Sequence, residues 1–174
     1  MIFGKDYAFK GAHADKVRAL ADSKFDKVHK LFDRYMDVYL LAPIVGFLMG
    51  RRSPVDKTST KPANILASII NDYRNDLLFS YRLIMLLDDS YEPNQEERIN
   101  KAFRYYGDDE KTKPDLERFD EYVRGGVDYL YEVIFKDAVE PDDYINNIHD
   151  FVEDFQNKYG SLSEEILQLC KTEN

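Results

Sequence analysis

The chain has one cysteine, Cys170, no tryptophan, and three histidines, His13, His29 and His149, far apart in sequence. A single cysteine forms no internal disulfide, and no His or Cys group has zinc-ligand spacing. A disulfide-stapled fold and a zinc site of familiar pattern are therefore excluded, and a reducing, cytoplasmic setting is expected. Long apolar runs are scarce. The longest, Val38 to Met49, holds 12 residues, includes Pro43 and Gly46, and is too short to span a bilayer, so it reads as a buried helix. Met1 to Asp6 lacks the apolar run of a secretion signal. No phosphate loop, dinucleotide fingerprint or serine nucleophile elbow is found. The expectation is no catalytic, cofactor-binding or metal residue, with the histidines as surface or satisfied structural groups and Cys170 as a bystander thiol.

What is present is an aromatic, unevenly charged chain. Its 174 residues are 44% hydrophobic and include 13 Tyr and 11 Phe, enough for one folded domain over residues 1–174. Residues 1–82 carry 14 Lys and Arg against 9 Asp and Glu, whereas residues 83–174 carry 10 against 24. The acidic second half disfavours broad phosphate binding. It reads as a solvated helical surface, or as a face for a basic partner, or as an imitation of a nucleic-acid backbone. The pairs Asp88-Asp89 and Asp142-Asp143 and the run Asp108-Asp109-Glu110 fit helix ends better than a cation cage, because no oxygen-ligand loop accompanies them.

Apolar spacing predicts an all-α bundle of about five to seven helices. Residues 1–11 are the one stretch read as extended. Ser23 is placed as a helix cap, followed at steps of three and four by Phe25, Val28, Phe32, Tyr35, Tyr39 and Ala42, as one helix or two broken near Asp33. Pro43 is expected to kink that helix or end its first part, and Gly50 to terminate it. A polar, basic loop over residues 51–62 follows. Ile65, Ile69, Tyr73, Leu77 and Tyr81 then form the stripe of a second long helix, broadened by Leu66, Ile70, Leu78 and Ile84 and ending near Asp88. Asn94 and Glu97 have capping-box-like spacing for a helix ending at Gly107. Thr112-Lys113-Pro114 opens another, with a face of Leu116, Phe119, Val123, Val127, Leu130 and Ile134. Within it, Gly125-Gly126 either admits a close neighbour or marks a break. Pro141 begins a helix that Gly160 should end, and Ser161 to Glu164 is a capping box for a short last helix. Phe32, Tyr35, Tyr39, Ile69, Leu77, Phe119, Leu130, Ile148 and Phe155 are expected to be mostly buried.

Two segments resemble a known family. Phe32-Asp33-Arg34-Tyr35-Met36-Asp37-Val38-Tyr39-Leu40-Leu41-Ala42-Pro43-Ile44-Val45-Gly46-Phe47-Leu48-Met49-Gly50-Arg51-Arg52-Ser53-Pro54-Val55 has an aromatic-rich helix leading through a glycine into a basic turn. Tyr122-Val123-Arg124-Gly125-Gly126-Val127-Asp128-Tyr129-Leu130 is a glycine-containing helix. Together they are similar to small accessory proteins of bacterial dnd systems, which install and police phosphorothioate DNA. The resemblance covers about a third of the chain, and Pro43 has no place in its pattern. It implies an accessory role in prokaryotic antiviral defence, not a defined reaction.

The sequence therefore points first to a non-enzymatic protein-interaction subunit that binds a partner protein, with self-association left open and no membrane. The alternative is a nucleic-acid-binding module using Arg51, Arg52, Lys57 and Lys61, since arginine forks suit phosphates. Against it stands a plain solvated loop whose arginines satisfy carbonyls at the helix end. An enzyme built from scattered carboxylates and tyrosines is the third reading, without a positive sign in its favour.

Overall fold

The computed structural model describes residues 2–21, 30–58, 61–105 and 108–172, with the backbone alone for residue 109 and residues 161–172. The expectations for Ser23, Phe25, Val28, His29, Gly107, the Cys170 thiol and the side chains of the Ser161 box lie outside what is described. The fold is all-α, with seven α-helices and a single two-stranded ribbon among the described residues. In order, the elements are β1 (Tyr7–Phe9), α1 (Ala12–Ala21), α2 (Tyr35–Leu48), β2 (Ala63–Ile65), α3 (Ala67–Asp72), α4 (Arg74–Leu87), α5 (Gln95–Ile99), a π-helical turn (Asn100–Arg104), α6 (Asp109–Phe135) and α7 (Pro141–Thr172). They divide into two compact units, Met1–Tyr131 and Glu132–Asn174.

The first unit is organised by α2, which is apolar almost all round and buries Met36, Val38, Tyr39, Ala42, Val45 and Gly46 on one half of its circumference, with Leu40, Ile44 and Leu48 half-buried on the other. That composition suits a packed inner helix rather than an amphipathic surface one. Its start is held by Asp37, which accepts from the Arg34 amide at 3.0 Å and from the Arg34 guanidinium at 2.7 Å. Its end is a Schellman turn: the Arg51 amide donates to the Gly46 carbonyl at 2.7 Å and the Gly50 amide to Phe47 at 3.1 Å, with Gly50 at φ +62°. Pro43 sits inside α2 and does not end it. The loss of one amide donor is tolerated because the surrounding packing, not local propensity, holds a buried helix.

Gly125-Gly126 does not break α6. A Cβ on Gly126 would strike the Ala42 carbonyl and come within 2.9 Å of its Cα, and one on Gly46 would lie 2.9 Å from the Gly126 amide nitrogen. The glycines on both helices let α2 and α6 meet backbone to backbone. Phe119, Val123, Val127 and Leu130 fill the rest of that α6 face, and Phe119 stacks edge-on against Phe3 at 5.5 Å.

Several expectations are corrected. Ile65 belongs to β2, not to a helix; β2 pairs antiparallel with β1, placing Tyr7 opposite Ile65 and Phe9 opposite Ala63. The expected second helix is two helices, α3 and α4, parted at Tyr73. Helix α1 lies where none was expected. α6 starts at Asp109, before Thr112, because Asp108 accepts from the Glu110 and Lys111 amides at 3.2 Å. Gly160 does not end α7, which runs on through residues 161–164. Tyr39, Leu77, Phe119 and Leu130 are buried as expected, but Phe32, Tyr35, Ile69, Ile148 and Phe155 are only half-buried.

Candidate functional site

Among its described residues, the basic loop is a strap anchored at Ser53, Asp56 and Lys61. The Ser53 amide donates to the Glu121 carbonyl at 3.1 Å, and the Ser53 carbonyl accepts from Arg124 Nε at 2.8 Å. The Ser53 hydroxyl donates to Asp128. Further on, Asp56 accepts from the Ala12 amide at 2.7 Å and the Thr58 amide at 2.8 Å, and these backbone donors hold its carboxyl below the usual range. Arg51, Arg52, Lys57 and Lys61 all lie on the exposed side of this strap, but they do not converge on one cavity. Arg52 faces Glu121 at 3.7 Å, and the Lys61 carbonyl takes the Arg18 guanidinium. The Arg51 backbone is pressed against Gly125, where no side chain fits. The Arg51 amide is one of the donors that close the end of α2.

Two carboxylate clusters lie beneath. Asp128 receives Lys16 Nζ at 2.7 Å, His13 Nε2 at 3.4 Å and the Ser53 hydroxyl. Burial raises this carboxyl, and the three hydrogen bonds outweigh burial and hold it below the usual range. Serine, aspartate and histidine therefore meet, but in the wrong order for acyl transfer. The hydroxyl points at the carboxylate, so no imidazole stands ready to take its proton. The second cluster joins α4 to α6. Asp88, 3% exposed, accepts from Arg118 Nε at 2.9 Å, the Tyr122 hydroxyl at 2.8 Å, Ser90 Oγ at 2.6 Å and the Tyr91 amide at 3.1 Å. Four donors saturate its acceptor sites. The fully buried Asp115 takes Tyr91 Oη at 2.8 Å and Lys101 Nζ at 2.9 Å. Burial, with the hydrogen bonds to these carboxylates, raises the Tyr91 and Tyr122 phenols above their ordinary value, so they act as neutral donors. Both clusters are clamps between elements: the Asp88 and Asp128 carboxylates are engaged by their donors, whereas His13 Nδ1 and Asp115 Oδ2 are buried without a hydrogen-bond partner among the described residues.

The surface gives a different signal. On α4, Phe79 is 68% exposed, and on the π turn Phe103 is 52% exposed. The Arg82 guanidinium lies 5.6 Å from the Phe103 ring centroid, and the half-buried Leu83 and Leu86 continue the α4 face at helical spacing from Phe79. The π turn builds this face. The Tyr105 amide reaches the Asn100 carbonyl at 2.9 Å, and the widened turn sends Ala102 inward and Lys101 onto Asp115 while Phe103 faces out. Single π turns inside helical segments concentrate at functional sites. Sequence reasoning missed this face because Phe79 falls off the apolar stripe. The signal was a large aromatic on the side that spacing assigns to solvent.

Residues 149, 150 and 153 bring His149 Nδ1 within 3.7 Å of Asp150 and 4.0 Å of Glu153. All three are exposed and lie along one stretch of α7, as charged neighbours on a solvated helix face do. Among the described residues, no helix is long and apolar enough to cross a membrane.

Comparison with known proteins gives one result of weight. The family model described as DNA sulphur modification system-associated protein 4 matches residues 11–170. No curated protein and no solved structure matches significantly. The match takes in both segments that carried the sequence resemblance, including the α2–strap junction and the glycine contact on α6. With nearly the whole length covered, the chain belongs to the family of DNA sulphur modification system-associated protein 4.

Proposed function

We propose that the chain is a non-enzymatic interaction subunit of a DNA sulphur modification system, working in prokaryotic antiviral defence by docking a partner protein of that system. The observation that carries this reading is the Phe79–Phe103 face. Two large aromatics more than half exposed, an arginine over one of them and two leucines on the α4 side of the other form the pattern of an interface core. The engagement of the Asp88 and Asp128 carboxylates by their neighbours supports a binding role over a chemical one. The test is co-purification with the other proteins of the modification system, produced together. Phe79→Asp with Phe103→Asp should weaken the association at least about tenfold, as for hot-spot aromatics, while the melting temperature stays within about 2 °C of the parent because both rings are exposed. Unaltered association in the double variant, or no association of the parent with any of these proteins, refutes the reading. Self-association through the same face would appear as a mass that rises with concentration and falls in the double variant.

The fixed strap favours a second reading, nucleic-acid binding by Arg51, Arg52, Lys57 and Lys61. Anchored backbone with exposed cations limits the ordering cost of meeting a phosphate backbone. Arg51→Ala with Arg52→Ala should then weaken binding similarly across sequences and flatten its salt dependence. A parent protein that binds neither DNA nor RNA at low salt removes this reading.

A further inference from the structure

On α6, Asp120 carries a carboxylate with no hydrogen-bond donor on either oxygen among the described residues. Glu117 precedes it by one turn and Arg124 follows by one turn. Arg124 is engaged elsewhere, with Nε on the Ser53 carbonyl at 2.8 Å. Among the described residues, no hydrogen bond or ion pair reaches the Asp120 carboxylate. A cavity of about 440 Å3 opens onto it. Ile2, Phe3, Ile70 and Leu116 supply apolar lining, and Tyr7 and Tyr39 supply two rings with centroids 4.3 Å apart. The lining segment is held in place by Phe3, which sits at φ 55° and still packs edge-on against Tyr81 at 6.2 Å and Phe119 at 5.5 Å. A left-handed conformation at a bulky residue costs free energy and persists only where packing fixes it.

We infer that this cavity binds a compact organic cation, an ammonium or guanidinium group on a short apolar stem, with the Asp120 carboxylate as counter-charge and Tyr7 and Tyr39 as aromatic wall. The volume is that of a small-ligand site. A neutral apolar occupant would strip the last water from the carboxylate and give nothing back, and an anion would be repelled. A cation replaces the lost solvation, and aromatic rings attract it further. The titration of Asp120 agrees. Burial raises it to about 7, Arg124 lowers it and Glu117 raises it, so a second cation nearby would return it toward the ordinary carboxylate range. The groups around it are Tyr7 from β1, Tyr39 from α2, and Glu117 and Arg124 from α6, and the charged residues Lys5, Asp6 and Lys113 also line the cavity. Asp56 and Lys10 line a smaller cavity that Asp120 and Tyr7 also line. Burial and Asp120 hold both tyrosine phenols well above their ordinary value, so they stay neutral while Asp120 titrates.

The test is carbon NMR of the Asp120 carboxyl in the full chain, titrated with butylammonium, ethylguanidinium and the neutral isostere 1-butanol. Both cations should move the Asp120 resonance and lower its midpoint, and bind about tenfold more tightly at pH 8 than at pH 6, following the ionised fraction. Butanol should do neither. Asp120→Asn should abolish cation binding, and Glu117→Gln should retain it. A blocked tripeptide with a central lysine separates the sources: affinity matching butylammonium assigns the site to a partner's side chain, and exclusion of the peptide assigns it to a free amine. Cations that leave the parent's Asp120 resonance unmoved overturn the inference, as does butanol binding equally or Asp120→Asn binding like the parent.

Discussion

Gly50 and Gly126 are both glycines for backbone reasons, but different ones. Gly50 has open space around a would-be Cβ and a φ of +62°, so conformation alone demands it. Gly50→Ala should lower stability by about 1–2 kcal/mol, the cost of a left-handed alanine, in urea denaturation. Gly126 is helical, and its added Cβ would meet the Ala42 backbone. Gly126→Ala should cost about 1–3 kcal/mol by overpacking, and because backbone atoms stand in the way, no rotamer change relieves it. Asp120 supplies a third prediction. Its carboxyl shifts from 3.8 to about 7 on folding. As pH rises through that window the unfolded chain loses its proton first, so the folded state is progressively penalised. Asp120→Asn escapes the penalty. It should match the parent near pH 3 and exceed it by about 1–3 kcal/mol at pH 8, measured as the difference in denaturation midpoints across pH. A difference between variant and parent that does not grow between these pH values would contradict the raised carboxyl.

Elements in this fold are joined by clamps as much as by apolar packing. The strap after α2 is tied to α6 by Ser53 and to α1 by Asp56, and Asp128 gathers α1, the strap and α6 at one point. Asp128→Ala leaves Lys16, His13 and Ser53 without their shared acceptor. It should cost about 2–4 kcal/mol, as for breaking a partly buried ion network, and should speed amide exchange at Ser53 more than in α4. Equal exchange in both places would mean that the strap is held by its backbone bonds alone. The elements read correctly from sequence were those with bulky residues at helical steps, such as α4 with Leu77, Tyr81 and Ile84. Helix α1 escaped because its inner face is Ala14, Val17, Leu20 and Ala21, small residues that make a weak periodic signal. Ile65 was placed in a helix because three residues of a ribbon continue the apolar spacing of the helix after them. Only pairing with Tyr7 separates the two.

Charge divides unequally over the molecule. Residues 132–174 carry 11 Asp and Glu against 3 Lys and Arg, which leaves the first compact unit close to neutral. That unit holds the glycine contact, both clamps, the Phe79–Phe103 face and the Asp120 cavity. A fragment ending at Tyr131 should therefore melt cooperatively by itself and retain the partner association of the full chain. Non-cooperative melting of the fragment would place part of its core beyond Tyr131.

The sequence alone determined the all-α class, the glycine end of α2, the helical start at Pro141 and the family resemblance that the family match extends to residues 11–170. These rest on local rules: apolar period, a residue able to take positive φ, a proline at a first turn. It left open whether Gly125-Gly126 was a break or a contact, because that depends on a helix some 80 residues away in sequence. Tertiary structure alone decided that Pro43 and Gly160 stay inside helices, that Phe79 and Phe103 are exposed and Arg82 lies over the Phe103 ring, and that Asp120 stands uncommitted beside a cavity while Asp88 is saturated. Exposure and charge pairing are properties of neighbours in space. A carboxylate reads the same in a sequence whether four donors surround it or none.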